Sequence, residues 1–460
     1  MKSGEALRGA ESVTLQEMLD ARERRAATQR DILCRERKPL ISFTLNLPGP
    51  YKDFPLARDA FLEGKHLISL TLKAGRHGVS HQFERGGKTG REVFFAVDAP
   101  ADVLKRLVVP LEEHHELGRL FDIDVFDAEG VQMHRQALGY PGRKCLICDK
   151  SALICARGRS HSQEELLDRV IGILKNYDDS RFVDRISQAA LRALMTEVCI
   201  TPKPGLVDRN NSGSHRDMDI FSFIDSGASL VAFFRRTTLC ALRFEGEPER
   251  LLESVRFLGL DAEEGMYRIT GGANTHKGAI FTMGILCAAA GYLCGRGEKL
   301  AENALFETCA RIAGGARCEF APEASQGGTA VTHGASASLR HGLTGARGEA
   351  AAGLPHVRKS LKVLKRRLEQ GDSLEQAGVA VLMHLMAGVD DTNIVSRSDM
   401  GALRALQAEV RESALGESDP LRLKEYAARL DRKLIERNIS PGGCADLLGA
   451  ALMVYDILAL

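Results

Sequence analysis

From about residue 182 onward the chain repeats one pattern, apolar residues at helical spacing, with almost no strand signal. Segments 186–198, 218–242, 279–293, 301–312, 357–368, 374–389, 402–414, 421–436 and 445–459 all fit it. A chain with this second half can bury those faces only by packing helix on helix. The first part reads differently. Residues 14–34 form a charged helix with Leu15, Met18 and Leu19 on one side. Segments 40–47, 93–97 and 121–126 read as strands, with helical stretches near 101–109 and 164–176. The expectation is a multidomain protein: an α+β N-terminal domain over 12–180, then an all-α C-terminal domain over 182–460. Its 460 residues exceed the usual single-domain range. The boundary is expected near 176–182, where the polar NYDDSR segment separates two helices.

Composition excludes several classes. A net charge of +1, few aromatics and no tryptophan argue against nucleic-acid binding. No apolar leader is visible at the N-terminus. Residues 278–295 form a long uncharged run, near the membrane-spanning limit of roughly 18 residues. Its Gly and Ala content predicts a close-packed buried helix rather than a membrane span. Eleven scattered cysteines fit a reducing, cytoplasmic setting.

Polar clusters gather at the expected helix ends. Thr201–Phe221 crowds Lys203, Asp208, Arg209, His215, Asp217 and Asp219 onto backbone interrupted by Pro and Gly. Ser214 and Asp217 also fit a helix capping box, so a bland role stands beside a phosphate-handling one. The Gly271–Gly278 turn carries Asn274, His276 and Lys277 into a helix N-terminus, where free N–H groups and the dipole attract anions. Asn274 or Thr275 capping is the alternative. Asp390 and Asp391 follow a helix end, Asp446 opens the last helix, and Arg347 and Glu349 sit in a Gly/Ala-rich segment. Helix ends of this kind can converge on a Mg²⁺–polyphosphate site.

These residues carry a resemblance. PKPGLVD, GSHxDMD, NTHKG, DDTN and SPGGxADLL, in order over 182–460, resemble the triphosphoribosyl-dephospho-CoA synthase family. The resemblance implies joining of ATP to 3′-dephospho-CoA with release of adenine. The retained triphosphate then calls for cations: Lys203, Arg209 and Lys277, with Asn274 beside them. Asp217, Asp219 and Asp391 are candidate Mg²⁺ ligands, and His215 or Asp208 the candidate acid–base.

Two features mark the first part. Asp122 and Asp124 lie two apart on an expected strand, which aims both carboxylates to one face. They fit Mg²⁺ beside a triphosphate; spacing alone favours an exposed strand face with two solvated acids. Cys145-x2-Cys148-x6-Cys155-x5-His161 offers four ligands for a structural Zn²⁺, or simply reduced, buried thiols. NLPGPYK at 46–52, HELGRLFDIDV at 115–125 and GRKCLICDKSALICARGRSH at 142–161 resemble the apo-citrate lyase phosphoribosyl-dephospho-CoA transferase family over roughly 12–180. The resemblance implies transfer to a serine of the citrate lyase acyl-carrier (gamma) subunit with loss of pyrophosphate. It points to Asp122 and Asp124 for the metal-assisted step and to Lys52, Arg119, Arg143 and Arg157 for phosphate. The joint expectation is a bifunctional cytoplasmic transferase. Its rivals are maturation of malonate decarboxylase and a non-catalytic zinc-binding adaptor.

Overall fold

A computed structural model describes residue 7, residues 9–315 and residues 343–460. The chain divides into two compact units, Met1–Ser180 and Arg181–Leu460.

The first unit is α+β. Helix α1 (Leu15–Glu36) starts at a capping box: the Thr14 side chain accepts from Glu17 N, and the Glu17 carboxylate accepts from Thr14 N. Strand β1 (Leu40–Leu45) is followed by helix α2 (Pro55–Ala74), then β2 (Val79–Arg85) and β3 (Glu92–Val97). Helix α3 (Ala101–His114), β4 (Phe121–Phe126) and the short helix α4 (Ala152–Gly158) complete the run to residue 158. The four strands form an antiparallel sheet in the order β2-β3-β1-β4. Ile41, Phe43, Val93, Phe95, Phe121, Ile123 and Val125 pack on one face with Phe61 of α2 and Leu104 of α3. Leu40, Phe94 and Ala96 pack on the other, against Ile32 and Leu33 of α1.

Alternation along β4 therefore sends Ile123 into the larger core and turns Asp122 and Asp124 to the α1 side. There they face Thr44 and Ser42 of β1 across the ladder. Three elements escape the sequence pattern, the short α4 among them. Strand β2 is an exposed edge, VSHQFER, with no apolar alternation to report it. Helix α2 is long, but its Gly64 breaks the apolar stripe. A Cβ there would run into the Phe43 ring, so glycine is what lets α2 lie on β1.

The second unit is all-α. Helix α5 (Gln163–Cys199) is continuous through 176–182. The NYDDSR segment is thus part of one helix rather than a break between two, because it contains neither Pro nor Gly to interrupt the hydrogen-bond ladder. Val170 and Leu174 of α5 belong to the first core, and Ile186, Ala190 and Leu194 to the second.

The expected helix over 218–242 is two helices, α6 (Ile220–Ser229) and α7 (Val231–Leu242), joined at Leu230. Then follow α8 (Leu251–Ile269), which the sequence reading passed over, α9 (Lys277–Gly295) and α10 (Glu302–Gly314). After the undescribed residues come α11 (Gly345–Ala351), α12 (Pro355–Glu369), α13 (Leu374–Met386) and α14 (Thr392–Arg397). The last three are α15 (Met400–Ser413), α16 (Pro420–Glu436) and α17 (Gly442–Ile457).

Helix α9 is the apolar run seen in the sequence. It is long and apolar enough to cross a membrane, but most of it is buried among other helices. Its glycines permit that: a Cβ at Gly291 would overlap the Thr238 carbonyl, and one at Gly295 the Leu242 carbonyl, both on α7.

Candidate active sites

In the second unit the separate polar clusters meet around residues 440–446. Ser440 Oγ lies 2.8 Å from His215 Nε2, which ties the 201–221 loop to the entry of α17. Asp391, the N-cap of α14, accepts from the backbone N–H of Asn393 at 2.8 Å and of Cys444 at 2.9 Å. Asp446, in the first turn of α17, packs against Gly278 in the first turn of α9. A Cβ at Gly278 would collide with the Asp446 carboxylate.

Lys203 completes the group. It is buried and ion-paired to Glu197 of α5, itself buried. Burial raises the Glu197 and Asp391 carboxyls above the ordinary range. Asp446 is pushed well above it, by lost solvation and then by the Glu197 and Asp391 carboxylates.

His215 is held neutral. Arg397 Nη2 sits 3.1 Å from its Nδ1, and an arginine can only donate. Nδ1 therefore accepts, Nε2 carries the proton, and Ser440 Oγ receives it. Burial, then the Arg397 charge, bring this imidazole down to about 4. His276, the N-cap of α9, is also neutral, pushed down to about 3 by burial and then by Lys203. Thr275 Oγ1 donates to Ser226 Oγ, which lies 2.7 Å from His276 Nδ1. The other ring nitrogen, Nε2, is a buried atom with no partner among the described residues.

The remaining expected residues of this unit are engaged elsewhere. Asp208 accepts from the N–H groups of Lys203, Asn210 and Asn211 and so pins the loop. Arg209 pairs with Glu375. Lys277 Nζ lies 2.8 Å from Glu263 of α8, and its N–H donates to Asn274 Oδ1. Glu349 accepts from His356 N at 2.7 Å.

The capping box needs a correction. The box is Asp219–Ser222 at the start of α6. Ser214 instead donates to the Ile439 carbonyl at 2.8 Å, and Asp217 lies 3.8 Å from His215 Nδ1. The helix begins at Ile220, not Met218, so the cap moves with it. Asp217, Asp219 and Asp391 do not form a common ligand group. Among the described residues only the Cys–His cluster brings together three or more metal-ligating atoms.

In the first unit a cleft of about 160 Å³ opens between α1 and the end of β1. Arg22, Arg25, Lys52 and Arg91 line it, with Asp122 and Asn46. Lys52 donates to the Leu47 carbonyl, and burial followed by the Arg22 charge lowers its ammonium below the usual lysine range. Asp124 accepts from Gln132 Nε2 at 2.7 Å. Burial and the neighbouring Asp122 raise its carboxyl. Asp122 lies 3.8 Å from Arg143. Sequence reasoning missed Arg22, Arg25 and Arg91. Their one legible signal was the i, i+3 spacing of Arg22 and Arg25 on a charged helix.

Beside it a second cleft, of about 230 Å³, is lined by Arg119, Arg143, Lys144, Cys145, Cys155 and His161 among others. Arg119 donates to the carbonyls of Lys144 and Cys145. The ligand atoms of Cys145, Cys148, Cys155 and His161 all lie within 4.8 Å of one another, a group that could hold a metal.

Residues 183–460 match the family described as ATP:dephospho-CoA triphosphoribosyl transferase. Residues 13–177 match apo-citrate lyase phosphoribosyl-dephospho-CoA transferase. The chain belongs to both families, fused. Similar fusions confirm the arrangement: Protein CitXG of Haemophilus influenzae is 33% identical over 460 residues, covering 96% of this chain and 95% of its own length. Protein CitXG of Leuconostoc mesenteroides subsp. cremoris is 30% identical, covering 96% of both. The 2-(5''-triphosphoribosyl)-3'-dephosphocoenzyme-A synthase of Pectobacterium atrosepticum is 39% identical over 285 residues, 62% of this chain and 92% of its own. The fusion is a bifunctional transferase of citrate lyase prosthetic-group biosynthesis. Both families are enzymes, which retires the non-catalytic adaptor.

Proposed function

We propose that residues 182–460 join ATP to 3′-dephospho-CoA and release adenine, and that residues 12–180 complete the maturation. In the first reaction a ribose hydroxyl of dephospho-CoA displaces adenine from the anomeric carbon of ATP. The product is 2′-(5″-triphosphoribosyl)-3′-dephospho-CoA. In the second, a serine hydroxyl of the citrate lyase acyl-carrier (gamma) subunit attacks the α-phosphorus. Pyrophosphate leaves and a phosphodiester forms. Both reactions take place in the cytoplasm.

The observation that carries this reading is the cleft bounded by Arg22, Arg25, Lys52 and Arg91 with Asp122 at its edge. The lining also includes Asp53, which lies 3.8 Å from Arg91, and Arg25 pairs with Glu92, so the cleft holds four cations and two carboxylates. That set suits a triphosphate and its Mg²⁺: the cations take phosphate oxygens, and Asp122 takes the ion. Mg²⁺ would neutralise charge on the departing pyrophosphate, with Asp122 and Asp124 holding it. In the other unit the α9 N-terminus and Lys277 supply N–H donors for anionic substrate atoms, and Nε2 of the neutral His276, unpartnered among the described residues, suits a polar one. A zinc ion at Cys145, Cys148, Cys155 and His161 completes the cofactor reading, in a structural role.

The test is mass analysis of the citrate lyase acyl-carrier protein after incubation with this chain, ATP, 3′-dephospho-CoA and Mg²⁺. A gain equal to the whole prosthetic group is expected. Adenine release without that gain would remove the N-terminal half of the proposal. Loading of the malonate decarboxylase carrier in preference to the citrate lyase carrier would reassign the partner.

A further inference from the structure

The Cys–His cluster is built like a metal site. Cys145 N donates to the Lys150 carbonyl at 2.8 Å, and Lys144 bridges to Ser151, closing a tight knuckle that presents Cys145 and Cys148 together. Helix α4 begins directly after it and carries Cys155. Arg159, in the left-handed region, ends α4 and turns the chain so that His161 returns to the same point. His161 Nε2 lies 3.4 Å from Cys148 Sγ, and Cys148 Sγ lies 3.5 Å from Cys155 Sγ. Three thiols and one imidazole are the donors zinc prefers, and four protein ligands close the tetrahedron, leaving no position for substrate.

The surroundings connect this group to the anion clefts. Arg119 donates to the Cys145 carbonyl at 2.7 Å and to that of Lys144, and Arg169 Nε donates to the Leu146 carbonyl at 3.2 Å. Arg143, two residues before the first cysteine, reaches the Phe121 carbonyl at the start of β4 and lies 3.2 Å from Glu112. Arg119, Arg143 and Lys144 share the wall of the larger cleft with Cys145, Cys155 and His161. Arg119 and Arg169 are thus docked on the knuckle backbone, and Arg143 is tied to it through its own carbonyl, which accepts from Ala152 N at 2.9 Å. A tris-thiolate zinc site carries about one negative charge, which the adjacent guanidiniums would balance.

We infer that Cys145, Cys148, Cys155 and His161 form a closed zinc site that holds Arg119 and Arg143 in place as the cationic wall of the larger cleft, beside the one assigned to the triphosphate, where they receive the departing pyrophosphate. The metal does no chemistry; Arg119 and Arg143 are the groups that meet the anion. This rests on assigning the transfer reaction to the N-terminal unit, so the test includes readouts that do not need that reaction.

The full chain is expressed with ample zinc, and its metal content and reactive thiols are measured. About one zinc per chain is expected. Replacement by Co²⁺ should give the absorption of a tetrahedral thiolate site. Zinc-free chain, prepared with a chelator, should bind inorganic pyrophosphate about tenfold or more weakly, and added Zn²⁺ should restore binding. Transfer from supplied triphosphoribosyl-dephospho-CoA should fall in step, while adenine release from ATP stays within about twofold. Cys148→Ser should reproduce the zinc-free chain. Zinc near zero, or a Cys148–Cys155 disulfide in the zinc-replete protein, would overturn the metal site. Equal pyrophosphate binding with and without zinc would overturn the link to the arginines. Absence of transfer to any carrier protein, with zinc-dependent pyrophosphate binding intact, would count against the assigned reaction and in favour of the site.

Discussion

The two candidate sites use similar charged residues in opposite ways. In the C-terminal unit, Lys203 is buried against Glu197, while Asp208 and Asp391 are occupied by backbone N–H groups. In the N-terminal unit, Lys52, Arg22 and Arg91 line open space beside Asp122. Buried, mutually paired charges build a frame, because removing one partner strands the other without water. Charges on a cleft wall remain available to a ligand. The residue types are alike; the solvent decides what they do.

The largest effect is expected at Lys203. Lys203→Ala should cost the C-terminal unit about 3–5 kcal/mol, because Glu197 would be left buried without its partner. Thermal unfolding of the full chain is the measurement, and Glu197→Gln in the same chain should restore part of the loss. Unchanged stability with lost adenine release would break the comparison, since Lys203 would then be serving a ligand.

Lys52 is the counterpart. Lys52→Ala should lower transfer to the acyl-carrier protein by about 10²-fold while leaving adenine release unchanged. The unfolding midpoint should stay near that of the parent, because the Leu47 carbonyl that Lys52 contacts lies beside the cleft. A large loss of stability would place Lys52 with Lys203 among the framing residues.

Much of this was legible in the sequence, for reasons tied to period and turn chemistry. Strands β1, β3 and β4 declared themselves by apolar and β-branched runs. Most C-terminal helices declared themselves by 3.6-residue periodicity. Helix α2 did not, since its glycine serves packing, and α8 lies in a run rich in Glu, Gly and Arg. The Asp122/Asp124 face followed from alternation alone. Which charges are buried did not, because burial is set by contacts far apart in sequence. Glu197 meets Asp446, and His215 meets Arg397 and Ser440, only after the helices pack. Local sequence carries no record of those distances.

The smallest expected effect, taken per pH unit, is a pH dependence confined to the C-terminal unit. Unfolded, His215 and His276 take up a proton near 6.5. Folded, they do so only near about 4 and about 3. Between those values the unfolded chain holds more protons, so stability rises with pH. Each histidine's contribution is fully present above about 6.5 and is lost as pH falls toward its folded value. The raised Glu197, Asp391 and Asp446 carboxyls act in the opposite sense, gaining stability as they protonate, so the net curve alone decides little. The difference between parent and variant isolates the imidazole. His276→Asn should flatten the pH dependence of amide-exchange protection in helix α9 between about pH 4 and 6.5, by up to about 1.4 kcal/mol per pH unit. Protection in the N-terminal sheet, measured in the same samples, should not change. Identical slopes for parent and variant would mean that His276 titrates normally, and that the buried Nε2 finds a partner outside the described residues.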